Sequence, residues 1–509
     1  MPDTSTKNTF PDGIPFSKAL AILGISLFLG ISFDYLFYGE TPGLNFPIYI
    51  LLVSGGLFTV SCFSQRAIDR RTLWLFVPIA FFSAMVFVRA NEFLTTINIF
   101  ACVLLLFLVA ATILTKTLGN LTIFGFFSVA ISPVRFVEPG IQTVAQMTSR
   151  AEGKWNKERM TRIVKGFLLA APVVFVFFVM LMSADMIFRQ YTSDIFDQLL
   201  VAETIGRTIL ILFCSLFFAG AYTYVFLAER GAPSSPTWTL PKRNYHVELS
   251  IVLGCVNALF LLFMLVQFAY FFGGGQYVEA KGFTYSEYAR SGFFELIDVA
   301  VLSFLLMVIA DRFGRNESAG HGLLFKCLAG GVVAQTLLIM LSAFMRLSLY
   351  EGAYGFTELR LSSHLFIVFL AAVFLLLLYK TVIDNNERAF ALRTLIVMIL
   401  SVAALNVLNP DSFVARQNVT RFHKTGKLDT RYLSELSSDA TPEIVPLLGE
   451  ADGAVKDSVV NALYQKYQQE SHAQLALGWQ SRHWSREESI SIIEATVIKP
   501  GLKGDTLRR

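Results

Sequence analysis

The stretch 93–115, FLTTINIFACVLLLFLVAATILT, runs without a single charged side chain. The hydrocarbon core of a bilayer takes about 20 apolar residues of α-helix to cross, and this segment is long enough. Ten further runs of the same kind lie around it, at 16–38, 45–64, 72–90, 163–187, 203–228, 247–272, 293–311, 323–345, 361–383 and 387–408. The bulk composition agrees: of 509 residues 54% are hydrophobic, 48 are Phe and only 16% are charged, against about 25% charged in ordinary soluble domains. Lipid satisfies no backbone polar group, so spanning segments must be helices or closed barrels. The alternating ten-residue pattern of a barrel is missing. The expected fold is all-α: a polytopic transmembrane helix bundle of about eleven spans with a small helical C-terminal domain outside the membrane.

The first apolar run lacks a basic leader and reads as a retained span rather than a cleaved signal. The segment 119–135, GNLTIFGFFSVAISPVR, is apolar but short and interrupted by Gly125 and Pro133; it reads as interfacial or re-entrant rather than as a twelfth span. Segment 139–165 reads as an amphipathic helix, either a basic anchor before the next span or a lipid-surface or partner-docking element. The chain thus divides into a four-span bundle (1–118), an interfacial segment (119–162), a seven-span core (163–408) and a soluble helical tail (409–509). Thr441-Pro442-Glu443 in the tail is a helix start.

Lys and Arg set the expected orientation. With the N-terminus in the cytoplasm, the inner connections hold 22 of the 42 basic residues, the outer ones seven and the tail 13. An odd number of spans sends the tail to the outer side of a bacterial inner (plasma) membrane. A net charge of +4 is too small to imply nucleic acid. The five cysteines lie in or beside apolar runs without metal spacing. No Walker loop, H-E-x-x-H or G-x-S-x-G is present. No cofactor, metal or catalytic residue is expected, and the ligand is left open.

Ionisable groups inside spans are costly and are functional candidates for that reason. They gather at the outer ends of the spans: Asp34, Asp185, Glu295 with Asp298, Arg346, Glu351, Arg360 and His364. Glu295 and Asp298 share one helix face, and two close carboxylates need a cation or a proton; Arg346 and Arg360 are the expected partners. The cluster is either a proton- or cation-sensitive site or an ion-pair network that fixes packing. Two outer loops bring Tyr285, Tyr288, Tyr350 and Tyr354, either a binding surface for a sugar, peptide or cationic headgroup or an interfacial aromatic belt.

Five segments, LLAAPVVFVFFVMLMSADMIF (168–188), YSEYARSGFFELIDVAVLSFLLM (285–307), RLSLYEGAYGFTELRLSSHLF (346–366), LNVLNPDSFVARQNVTRF (405–422) and GKLDTRYLSELSSDATPEIVPLL (426–448), stand out in this order. Together they resemble an uncharacterised bacterial family of multi-spanning membrane proteins, classed as a domain of unknown function (type 4173/4153). The resemblance covers about 120–450 and implies a multi-span membrane protein without an established activity. Three functions remain open: a non-enzymatic protein that senses, scaffolds or binds a protein partner through its outer face and tail; a transporter or lipid flippase using the acidic/Arg cluster; and a membrane glycosyl or lipid-headgroup transferase built around Asp34 or Glu40.

Overall fold

The computed structural model describes residues 15–63, 68–113, 118–130, 200–227, 245–279, 293–313, 319–384 and 386–500, with isolated positions between 136 and 185. The first group of helices comprises α1 (Phe16–Phe37), α2 (Asn45–Phe63), the one-turn α3 (Arg70–Leu73), α4 (Phe76–Val88), α5 (Glu92–Thr112), the short α6 (Ile123–Ala130) and α7 (Leu200–Leu227). The second comprises α8 (His246–Glu279), α9 (Phe293–Phe313), α10 (Ala319–Tyr354), α11 (Glu358–Tyr379) and α12 (Glu387–Leu408). The tail adds α13 (Pro410–Thr425), α14 (Thr430–Glu435), α15 (Thr441–Ile444), α16 (Leu447–Glu450), α17 (Gly453–Ala476) and α18 (Trp484–Ile493).

Nine segments among the described residues are helical, long and apolar enough to cross a membrane. Each coincides with a run expected from the sequence. Of the other two runs, 293–311 forms the 21-residue α9, while 163–187 falls almost wholly outside the described residues, as does 139–165. Within 119–135 the described residues include the eight-residue α6, and 131–135 lie outside the described residues. Lipid-facing side chains account for the low burial of the spans: Leu51 is 72% exposed and Leu262 61%, which water would not tolerate and hydrocarbon does.

Burial divides the bundle into two cores. Ile22, Phe82, Cys102 and Val225 belong to one built from α1, α2, α4, α5 and α7. Leu253, Ala300, Val333 and Phe374 belong to another built from α8 to α11. Helix α12 gives Leu395 to the first and Phe390 to the second, and so joins them.

Contacts between helix ends give the bundle a direction. At one end Lys18 of α1 donates to the Phe63 carbonyl that closes α2, Thr72 donates to Thr112 of α5 at 3.1 Å, and the Tyr245 amide before α8 meets Phe313 of α9 at 3.3 Å. At the other end α1 finishes, α4 turns into α5, α10 turns into α11, and α12 runs into the tail. The tail packs on that second end, opposite Lys18. Its own core of Val414, Leu433, Ile444, Val459, Leu463 and Ile493 continues into Leu361 of α11. It is therefore a cap seated on the bundle, not a module on a string.

Candidate functional site

The seam between cap and bundle is polar and buried. It begins at Asn409, which ends α12 in the left-handed conformation with φ 53°. A side-chain amide tolerates that backbone better than most residues, and Pro410 then opens α13 at a position where its missing N–H costs nothing. The next residue, Asp411, is 2% exposed. One of its oxygens accepts from Asn91 Nδ2 and from the Ser437 amide, both at 2.9 Å. Asn91 Nδ2 also donates to Glu358 at 2.9 Å, while its Oδ1 caps α5 by accepting from the Leu94 amide at 2.8 Å. One asparagine thus ties the start of α5 to the start of α11 and the start of the tail.

Asp439 works beside it. Its Oδ2 accepts from the Ala90 and Asn91 amides at 2.8 and 3.2 Å, and its Oδ1 lies 3.6 Å from Arg89 Nη1. Arg89 Nη2 donates to the Asn406 carbonyl at 3.0 Å. One level deeper, Asn98 and Asn406 exchange amide hydrogen bonds of 2.8 and 2.7 Å with neither side chain exposed. Buried polar groups are costly unless paired, so each of these side chains holds its partners in one arrangement.

Two further clasps flank this centre. The Phe356 amide donates to Asn418 Oδ1 at 2.9 Å and Asn418 Nδ2 returns a bond to the Phe356 carbonyl at 2.8 Å. On the far side Glu40, in the α1–α2 turn, accepts from the Gly478 amide at 2.9 Å and from Ser481 at 2.6 Å. Within the cap, Lys466 donates to the Leu436 and Ser437 carbonyls. Burial pushes its ammonium down to about 8, against the opposing pull of Asp411, Glu470 and Asp439. Burial, with Arg486 nearby, also pushes His483 down to about 4, and its Nδ1 faces the Arg89 carbonyl at 3.1 Å.

The residues expected from the sequence separate into small groups. Asp34, 6% exposed, is held by Arg207 of α7 at 2.7 Å, and that guanidinium lies 4.7 Å over the Tyr38 ring. Glu351 and His364 meet at 3.6 Å, with Ser348 3.2 Å from the same imidazole nitrogen. Arg360 sits 4.2 Å over the Tyr350 ring and donates to the Gly355 carbonyl, and Tyr350 stacks near Tyr354 at 4.9 Å. Arg346 donates to Gln267 at 2.7 Å. Glu295 and Asp298 are both exposed on α9, and no described contact joins them to Arg346 or Arg360. Asp185 is an isolated described position, also exposed; Tyr285 and Tyr288 lie outside the described residues. Among the described residues no group of His, Cys, Asp or Glu is placed to hold a metal ion.

Asn91, Asp411 and Asp439 do not stand out in the sequence. Each looks like an ordinary helix cap or turn residue, and their partners lie hundreds of positions away. A family model described as Domain of unknown function (DUF4153) matches residues 76–447. The chain belongs to this family. The DUF4153 match starts in α4 and ends where α16 starts, so it takes in Arg89, Asn91, Glu358, Asp411 and Asp439 together, and the bundle–cap seam lies inside the family's domain. Asp34, Glu40, Lys466 and α18 fall outside the match. No curated protein and no solved structure matches the chain.

Proposed function

We propose that this DUF4153 protein is a non-enzymatic membrane scaffold or sensor that engages a protein partner through its cap. In this reading the chain crosses the bacterial inner membrane eleven times, with its N-terminus in the cytoplasm and the cap outside it. The observation that carries the reading is the seam: Asn91, Asp411, Asp439 and Glu358 hold the cap in a fixed pose on the bundle. A rigidly held surface is what a docking platform or a relay needs.

Several observations support the topology. The cap touches the α1–α2 turn through Glu40 and therefore lies across the bundle from Lys18. That relationship does not depend on counting spans. Helix α9 runs antiparallel to α8, because its Phe313 end meets Tyr245; α8 runs parallel to α10, because Asn257 meets Leu328 while Gln267 meets Arg346. Helix α5 ends on the Lys18 side, whereas α7 begins on the cap side, where Arg207 meets Asp34. The reading takes the expected span 163–187 as the one crossing that joins these two positions, for a total of eleven. Counting the connections without the tail, 22 basic residues fall on the side this reading puts in the cytoplasm against seven on the other.

The reading is tested by placing a photo-crosslinking residue at exposed cap positions, Leu475 or Glu487, and at Lys326 on the opposite side, in the full chain in native membranes. Discrete protein adducts from the cap positions are expected. Adducts from Lys326 alone, or solute uptake by reconstituted vesicles that vanishes in Asp298→Asn, would contradict it.

A further inference from the structure

A cleft of about 200 Å³ opens where the cap meets the bundle. Its walls are the end of α4 (Val88, Arg89), the α12–α13 junction (Asn409, Ser412), Ser438 and Asp439, and the first turns of α18 (Trp484, Ser485, Glu488, Ser489). About 10–15 Å³ suffices for one water by the same measure, so the space admits a small polar group. Val88 and Asn409 are the residues at which two apolar spans stop. The cleft therefore stands at headgroup height, next to a helix whose Ala84, one turn before Val88, is exposed to the surroundings. Trp484, 60% exposed at its rim, has the amphipathic ring that favours this level of a bilayer.

The charges lining the cleft are unequally spent. Asp439 is saturated by the two backbone amides, Ser437 and Arg89. Arg89 keeps donors in hand: its Nη1 has only the 3.6 Å approach to Asp439, beyond hydrogen-bond length, and its side chain is 20% exposed. Glu488 is exposed and enters no described hydrogen bond or ion pair. Ser485 is buried and its hydroxyl enters no described hydrogen bond either. Ser412 and Ser438 are already committed to Glu443 and Glu470, as is Ser489 to Thr441. What the cleft offers is a guanidinium donor from the end of α4 and, from neighbouring positions on α18, a hydroxyl and a free carboxylate. A ligand that satisfies both charges carries an anionic phosphate and a primary ammonium on one short linker.

We propose that this cleft binds the headgroup of an aminophospholipid of the phosphatidylethanolamine type. The phosphate faces Arg89 and Ser485, the ammonium faces Glu488, and the acyl chains lie along α4. The site is independent of any protein partner of the cap and requires only that the span ends lie at a membrane surface.

The test titrates the purified full chain, in detergent, with short-chain phosphatidylethanolamine, phosphatidylcholine and phosphatidylglycerol, and with free phosphoethanolamine, reading bound ligand by native mass spectrometry. Phosphatidylethanolamine is expected to bind at least about tenfold more tightly than the other two lipids, since a trimethylated amine cannot donate to a carboxylate and glycerol carries no charge. Glu488→Gln, at an exposed residue without internal partners, is expected to erase that preference without moving the thermal midpoint. Arg89→Lys, which keeps the charge beside Asp439 but loses the planar fork, is expected to weaken all three lipids. Equal retention of the three lipids, or a preference that survives Glu488→Gln, would overturn the proposal. Free phosphoethanolamine binding as tightly as the lipid would assign the cleft to a soluble phosphoamine and overturn the lipid assignment.

Discussion

Asn91, in the turn before α5, donates 2.9 Å to Asp411, the second residue of α13. The two are 320 positions apart in the chain, and their contact seats the cap on the bundle. Because Asn91 Oδ1 simultaneously caps α5, movement of the cap disturbs a spanning helix directly. The cap and the membrane domain form one mechanical body at this point.

Removing a buried acceptor leaves its donors unsatisfied, at about 1–3 kcal/mol per group. Asp439→Ala strips the Ala90 and Asn91 amides and Arg89 of their acceptor. It is expected to make residues 409–500 sensitive to limited proteolysis while the apolar helices stay inserted. Arg431→Ala, on an exposed side chain of α14, is the control and is expected to leave the protease pattern unchanged.

Gly355 occupies φ +90°, and a Cβ there would stand 2.9 Å from Asn418 Oδ1. Gly355→Ala therefore combines backbone strain of about 1–2 kcal/mol with displacement of the Asn418 clasp. A lowered thermal midpoint is expected, with no loss in Gly449→Ala, where φ is ordinary, nothing stands within 4 Å and alanine is the better helix former.

Lys466 gives the cap a measurable response to alkali. Its ammonium titrates at about 8 in the folded cap and at the ordinary 10.5 when unfolded. Between these values the unfolded chain binds more protons, so stability rises with pH across that window. The rise reflects relief of a buried charge that is present below about pH 8. Thermal midpoints measured from pH 8 to 10.5 are expected to climb more steeply in the native chain than in Lys466→Met.

His483 gives the corresponding acid response. It is buried neutral, titrating at about 4 against 6.5 when unfolded. Stability from this group is complete above 6.5 and is lost progressively as pH falls towards 4. A shallower acid loss in His483→Gln than in the native chain, followed by thermal midpoint, is the expected outcome.

The spanning helices were legible because length and apolarity alone define them; 93–115 needs no partner to be read as a crossing. The stop of the last span before Pro410 was legible too, since a proline acts locally. The pairings were not. Asp34 was a visible cost inside α1, but Arg207, its partner, lies 173 positions away and reads from the sequence as a flanking charge. Arg346 and Arg360 were the expected partners of Glu295 and Asp298, but both carboxylates are exposed on α9, while Arg346 donates to the neutral Gln267 on α8 and Arg360 lies over Tyr350. Spacing along one helix says which residues share a face, not which face meets the bundle. Asn91, Asp411 and Asp439 escaped notice because cap residues are common and only the fold shows that three of them converge.

The measurement closest to the centre of this account is the side of the membrane on which the cap sits. A reporter enzyme that is active only outside the cytoplasm, fused after Arg509 of the full chain, is expected to be active, and the same reporter fused before Met1 silent. An inactive C-terminal fusion on a stably inserted chain, with a fluorescent cytoplasmic reporter lit at the same position, would contradict it.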